Sequence, residues 1–291
     1  MQRQFVLVCS NKFTAMNIRI LLLAFALMGS VFTAAAQGLT GRAYYKSSSS
    51  FKISMDSTKM APDVIADLQK QLKKQMEREY VLTFSQTESN WKQVESLGAG
   101  PATASSGGAS IVINTGNQDR LLYKNVADQN YIKEEDLMGK AFLVGDSLNT
   151  YDWELTGESK QIGDYTCQKA VYSRIVDSKV FSMGQDEMKT TKDTVNVTAW
   201  FTMQIPVSHG PEDFWGLPGL ILELQNRGMT YIAERIVLNP NEAVEIEVPK
   251  KGEKISSKDY QALSEEKMQE MMTRYSGKPG SGNGMVIKIG N

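Results

Sequence analysis

Between Val195 and Ile205 the chain alternates strictly. Val195, Val197, Ala199, Phe201, Met203 and Ile205 occupy one set of alternate positions, and Asn196, Thr198, Trp200, Thr202 and Gln204 the other. A period of two predicts a β-strand with one buried face, and it puts Trp200 on the more polar face. Further on, Leu220, Ile221 and Leu222 are consecutively apolar before Glu223 interrupts them, a pattern that predicts a strand covered on both sides. Between the two lies Ser208-His209-Gly210-Pro211-Glu212-Asp213-Phe214-Trp215, too rich in glycine and proline for a helix, which predicts a loop with exposed aromatic side chains. Pro218-Gly219 suits the two central positions of a type II turn, because proline presets φ at the first and glycine tolerates a positive φ at the second.

The rest of the chain reads in the same way. Alternating or short apolar runs recur over 38–55, 80–94, 121–125, 130–134, 141–144, 151–156, 167–175, 231–238 and 242–248. Turn residues separate them every ~8 to 12 residues, which predicts an antiparallel meander. Two stretches switch to the helical period. Ile65, Leu68, Leu72 and Met76 form a stripe with Lys70, Lys73, Lys74 and Arg78 off it, so 62–79 predicts an amphipathic helix laid over the sheet. Ser256 or Ser257 caps a second helix reaching about Tyr275, with Tyr260, Leu263, Met268, Met271 and Tyr275 as its stripe. The low-complexity run at 98–110 predicts a mobile loop or an inserted hairpin, and 277–291 a flexible tail. The fold class expected is mainly β: a curved antiparallel sheet, half-barrel-like, with two covering α-helices in a single domain over 37–291.

Composition changes this picture mainly at the N-terminus. Arg19, an apolar run from Ile20 to Phe32 and Ala34-Ala35-Ala36 have the layout of a secretory signal peptide, so cleavage is expected before Gln37 and Met16 is a candidate start. Of 32 basic residues, Arg3, Lys12 and Arg19 precede Gln37, which leaves 29 against 33 acidic ones, a formal net charge of −4 that does not suit nucleic acid. Cys9 is also removed, so Cys167 remains alone and no internal disulfide is available. No second apolar stretch is long enough to span a membrane. The localisation expected is periplasmic or secreted.

Candidate chemistry gathers in the loop that holds the chain's one histidine. His209 has neighbours in Ser208, Glu212 and Asp213, but there is no G-x-S-x-G elbow for a hydrolase. As a metal set, His209, Glu212 and Cys167 lack the spacing of H-E-x-x-H or C-x-x-C sites, and a histidine that fixes the turn through the backbone is the simpler reading. Cys167 sits in an alternating strand as a small apolar residue. Trp200, Phe214 and Trp215 flank Leu217, Pro218 and Gly219, a grouping that suits either partner or ligand docking or closure of one end of the sheet. Met268, Met271 and Met272 suit ordinary packing or an adaptable apolar pocket. No cofactor is expected.

Gly216-Leu217-Pro218-Gly219-Leu220-Ile221 resembles the hexapeptide that names the GLPGLI family of secreted proteins from Bacteroidetes-type bacteria. Trp153-Glu154-Leu155, the block from Ile162 to Ala170, and Val197-Thr198-Ala199-Trp200-Phe201 look like that family's successive blocks, and the likeness runs from about 120 to 238. It implies an exported envelope protein and carries no catalytic residues over. A weaker likeness, at the level of fold, is to the half-barrels of lipoprotein carriers. The function these features predict is a non-enzymatic module that binds an apolar small molecule, a lipid or a peptide and acts with an outer-membrane partner. The alternative is a metal-binding or hydrolytic protein using the His209 loop.

Overall fold

The computed structural model describes residues 38–50, 61–75, 77–94, 102–106, 109–113, 120–180 and 189–276. The expected signal peptide, the Met16 start and the tail at 277–291 lie outside the described residues, as do the side chains of Leu68, Leu72, Met76, Met268, Met271 and Met272. Leu39–Asn291 forms one compact unit.

That unit is built on a single twelve-stranded sheet, mainly antiparallel, as the alternation predicted. Its strands are β1 (Gly41–Ser49), β2 (Arg78–Phe84), β3 (Glu88–Gln93), β6 (Leu121–Asn125), β7 (Asn130–Leu137), β8 (Lys140–Ser147), β9 (Glu154–Ile162), β10 (Tyr165–Val180), β11 (Lys189–Thr202), β12 (Leu220–Asn226), β13 (Met229–Leu238) and β14 (Glu253–Ser256). They lie in the order β14-β8-β7-β6-β3-β2-β1-β13-β12-β11-β10-β9, and the β14–β8 pair is parallel. The glycine-serine stretch forms a separate hairpin, β4 (Ala102–Ser106) with β5 (Ala109–Ile113).

Topology makes the sheet curl. β8 and β9 are joined directly by residues 148–153, yet they stand ten strand spacings apart, about 48 Å in a flat sheet. Seven Cα–Cα steps reach at most about 25 Å. Strong curvature brings the two ends of the order close enough for that short link, and the link crosses the open side of the sheet.

The core lies on the face that carries Tyr45, Leu82, Phe84, Trp91 and Phe201, all buried. Tyr45 donates its buried hydroxyl to the Ile221 carbonyl at 2.7 Å and so ties central β1 to β12. In β12 the consecutive apolar residues have a specific cause. Glu223 pairs with Trp200 and Ile221 with Phe201, which leaves Leu222 as the extra residue of a bulge and allows Ile221, Leu222 and Leu224 all to be buried. β11 ends at Thr202, so Met203, expected on the buried face, is 53% exposed.

Two sequence expectations are corrected here. Residues 242–248 form no strand; they run as an extended segment that Asn90 grips, its amide donating to the Glu247 carbonyl at 2.8 Å and accepting from the Glu247 N–H at 2.6 Å. The second concerns Pro218-Gly219. Gly216 (φ +95°), and not Gly219, takes the left-handed backbone. Gly219 is required for space instead: a Cβ there would stand 2.1 Å from the Thr202 carbonyl oxygen.

Helix α1 (Pro62–Gln75) is shorter than the 62–79 expected, because Arg78 and Glu79 already belong to β2, and it is anchored to the hairpin rather than laid on the large sheet, Gln71 exchanging two hydrogen bonds of 3.3 Å with the Ser105 backbone. Helix α2 (Ser257–Ser276) starts at Ser256, whose hydroxyl accepts the Asp259 N–H at 3.1 Å, and its Tyr260 packs edge-on against Phe142. At the far edge, β9 is largely exposed. Its pairing with β10 slips between Gln168 and Ala170, and Gly157 within it has φ +78°.

Gly219→Ala is expected to lower stability by about 3 kcal/mol or more, because the methyl group meets backbone that cannot move aside. Gly139→Ala, strained at φ +85° but in open space, should cost only about 1 kcal/mol. Urea denaturation of the two variants measures the contrast; similar losses would count against the close-contact account.

Candidate functional site

The loop between β11 and β12 is organised by Lys124. This lysine belongs to β6, where the period of two puts it on the same face as buried Leu122, and it is fully buried itself. Its ammonium donates to the carbonyls of Gly210 (2.9 Å), Glu212 (2.5 Å) and Phe214 (3.2 Å). Three alternate residues of the loop thus aim their carbonyls at one cation. Burial lowers the Lys124 pKa to about 7, although Asp213 and Glu212 nearby pull in the opposite direction. Sequence reading missed this residue. Its only local signal was a charge placed on the apolar face of a short strand.

Around that cation the loop takes a fixed path. Pro211 to Phe214 reverses direction, with the Phe214 N–H donating to the Pro211 carbonyl at 3.2 Å and Glu212 in the left-handed region at φ +51°. Gly210 lies flush against Ile221; an added Cβ would meet the Ile221 side chain at 2.6 Å. His209 is fully buried, and its Nε2–H donates to the Ser85 carbonyl at 3.2 Å, which fixes the tautomer. Its Nδ1 is buried without a hydrogen-bond partner among the described residues. Burial, followed by the Lys124 charge, lowers the His209 pKa to about 3, so the ring is neutral at physiological pH.

The link from β8 to β9 clasps the loop from the other side. Trp153 donates its indole N–H to the Trp215 carbonyl at 2.8 Å, and Trp215 donates its own to the Asn149 carbonyl at 2.8 Å. Tyr151 stacks on Phe214 with centroids 5.0 Å apart and donates its hydroxyl to Asp213 at 2.6 Å. Phe214 and Leu217 are therefore buried and Trp215 is half-buried, which corrects the expectation of exposed aromatics on this loop. The tryptophans and Phe214 are consumed in holding the loop to the link. Pro218 is exposed and Gly219 buried. Trp200 lies apart from this group, opposite Glu223 in the ladder, with the Lys160 ammonium 4.2 Å above its ring. Cys167 is fully buried on β10, and burial raises its thiol to about 11. Among the described residues, no three His, Cys, Asp or Glu side chains converge as a metal set, so the structure does not assemble His209, Glu212 and Cys167 into one.

What the loop does create is a cavity of about 390 Å³ between itself and the sheet. One face of β2, β3, β6 and β7 forms the floor: the register sets Tyr80 opposite Gln93, Trp91 opposite Leu122 and Leu122 opposite Lys133, with Tyr131 alongside. Arg120, Leu148, Asn149, Glu212 and Asp213 close it. The rings of Tyr80 and Trp91 stack nearly parallel, at 4.9 Å and 7°. Arg120 and Lys133 both bind Glu135, at 3.1 and 2.5 Å, so the two cations share one carboxylate. Each loop carboxylate has one oxygen held by a tyrosine, Glu212 by Tyr231 and Asp213 by Tyr151. Burial raises the Glu212 pKa above the ordinary carboxylate range, toward its neutral form. Gln93 Nε2 is buried at the cavity without a partner among the described residues.

Two outcomes follow from this geometry. Lys124→Met strands three buried carbonyls and should destabilise the protein by about 3 kcal/mol or more, measured by chemical denaturation. The second concerns acid. Native His209 stays neutral down to about pH 3 while the unfolded chain protonates near 6.5, so His209 contributes stability above pH 6.5 that is lost progressively as pH falls toward 3, at up to about 1.4 kcal/mol per pH unit. His209→Gln keeps a neutral donor to Ser85 and removes that dependence, so the difference between wild type and variant should shrink with acid. A constant difference from pH 7 to 4 would refute it.

Two solved structures resemble the chain over most of its length, both crystal forms of PNGF-II. The C2 form has 12% identity and a TM-score of 0.43 over 78% of this chain, and the P21 form 11% and 0.44 over 77%. The chain spans about a third of the length of those structures, 32% in each case. Comparison with curated proteins found no match. Residues 153–223, from the clasping Trp153 through the loop between β11 and β12, hereafter the signature loop, to Glu223, match the family model described as "Protein of unknown function (Porph_ging)".

Proposed function

We propose that this chain is an exported, non-enzymatic binding module of GLPGLI type, and that its ligand occupies the cavity between the signature loop and the sheet. One observation carries the reading: a 390 Å³ cavity that combines aromatic walls with polar groups, among them a buried Gln93 amide whose donor has no partner among the described residues. An unpaired buried donor costs about 1 to 3 kcal/mol, which a ligand acceptor would recover. The wall also refines the expectation from sequence. An acyl chain would cover Arg120, Lys133 and Asp213 without replacing their hydrogen bonds to water, so a ligand with a polar edge fits better than a lipid tail. Export rests on the signal-like stretch before Gln37.

Native mass spectrometry of the protein purified from a bacterial envelope tests the reading. The expected result is a stoichiometric small molecule that Leu148→Trp, which fills the cavity, excludes. Bare wild-type protein that Leu148→Trp stabilises would mean that the cavity is a packing void, and would overturn the proposal.

A further inference from the structure

Resting on the reading of the cavity as a binding site, we infer that its ligand is a neutral saccharide of one or two rings. The argument begins with charge. Arg120 and Lys133 share the one charge of Glu135, Asp213 supplies the second negative charge, and Glu212 is held toward its uncharged form, so the charges at the wall balance and the cavity does not call for an ionic ligand. A phosphate or carboxylate would compete with Glu135 for the two cations, and an ion of either sign would leave the balanced wall with an excess charge.

Hydrogen bonding narrows the class further. The cavity presents donors and acceptors together: the unpartnered Gln93 Nε2 as a donor, the second oxygen of Asp213 as an acceptor, and the second oxygen of the Glu212 carboxyl, which in the neutral form donates as well as accepts, neither oxygen having a hydrogen bond seen among the described residues. A hydroxyl both donates and accepts, so a polyol satisfies such a wall with one kind of group, whereas a peptide must place separate N–H and C=O groups at fixed positions. Beside these polar groups stand the aromatic and aliphatic side chains of Tyr80, Trp91, Leu122, Tyr131 and Leu148. Tyr80 is locked in register by its stack on Trp91, with Tyr131 beside it, and rigid rings of this kind take up the C–H faces of a sugar with little loss of side-chain freedom. Volume agrees, since about 390 Å³ lies at the small end of ligand pockets.

The test is isothermal titration of the purified protein with glucose, galactose, mannose, N-acetylglucosamine and their disaccharides, alongside a panel of free amino acids, dipeptides and decanoate. The expected result is saturable binding of at least one saccharide, weakened about tenfold or more in Gln93→Leu, with the loss equivalent to one hydrogen bond. Trp200→Ala, on the other side of the ladder, should bind as wild type does, and thermal melting should show Gln93→Leu folded. Binding of an amino acid, dipeptide or decanoate that Leu148→Trp abolishes, and of no saccharide, would overturn the sugar assignment while leaving the binding module intact. No binding by any probe, with Gln93→Leu more stable than wild type, would overturn both. Release of reducing sugar from a bound disaccharide would uphold the saccharide and overturn the non-enzymatic reading.

Discussion

A single buried ammonium governs the part of this protein that its sequence makes distinctive. Enclosing a lysine charge costs several kcal/mol, and leaving loop carbonyls buried without donors is costly too. Lys124 and the carbonyls of Gly210, Glu212 and Phe214 cancel these two liabilities against each other. The cancellation is geometric as well as energetic. Carbonyls of alternate residues converge on one atom only if the loop bends tightly, and the bend demands the bare flank of Gly210 against Ile221 and the left-handed backbone of Glu212. The left-handed backbone of Glu212 is thereby held by Lys124 at its carbonyl and by Tyr231 at its side chain, and it delivers the Glu212 and Asp213 carboxyls to the cavity.

The second constraint is the short link from β8 to β9. A connection between opposite ends of a twelve-strand order is possible only in a curled sheet, and in crossing the open side it meets the signature loop. Trp153, Tyr151 and Asn149 then bind the loop by hydrogen bonds and ring stacking. Curvature, link and loop are therefore interdependent. The family match over 153–223 covers the end of this link, the edge strands and the loop as a unit, whereas Lys124, the cation at its centre, lies outside the matched residues.

Much of the fold was legible in the sequence because period two reports local burial directly. Strand 121–125 was placed at both its ends, and of the two caps read from sequence, Ser256 and Ser257, the first is the one used. What was not legible depends on partners distant in sequence. Residues 242–248 alternate because one side of an extended segment rests on protein, and nothing in that pattern distinguishes a ladder from a clip made by Asn90. Pro218-Gly219 has the local signature of a turn, but the need for glycine arises from Thr202 on another strand. The site was half visible: the loop holding Glu212 stood out by its composition, while the floor of Tyr80, Trp91 and Gln93 came from strands that looked ordinary. Lys124 showed only as a charge on an apolar face, because its partners are backbone carbonyls, which no side-chain pattern records.

An open sheet also has ends, and β9 is the more exposed of them. Among the described residues it pairs only with β10, so its outer row of peptide groups faces solvent. The slipped register at Gln168/Ala170 and the left-handed Gly157 break the regular spacing that an incoming strand would need, and Glu154, Glu158 and Lys160 place charge along the same stretch. The irregularity of this strand thus works against polymerisation: a second copy of the chain finds no straight, uncharged template along which to continue the sheet.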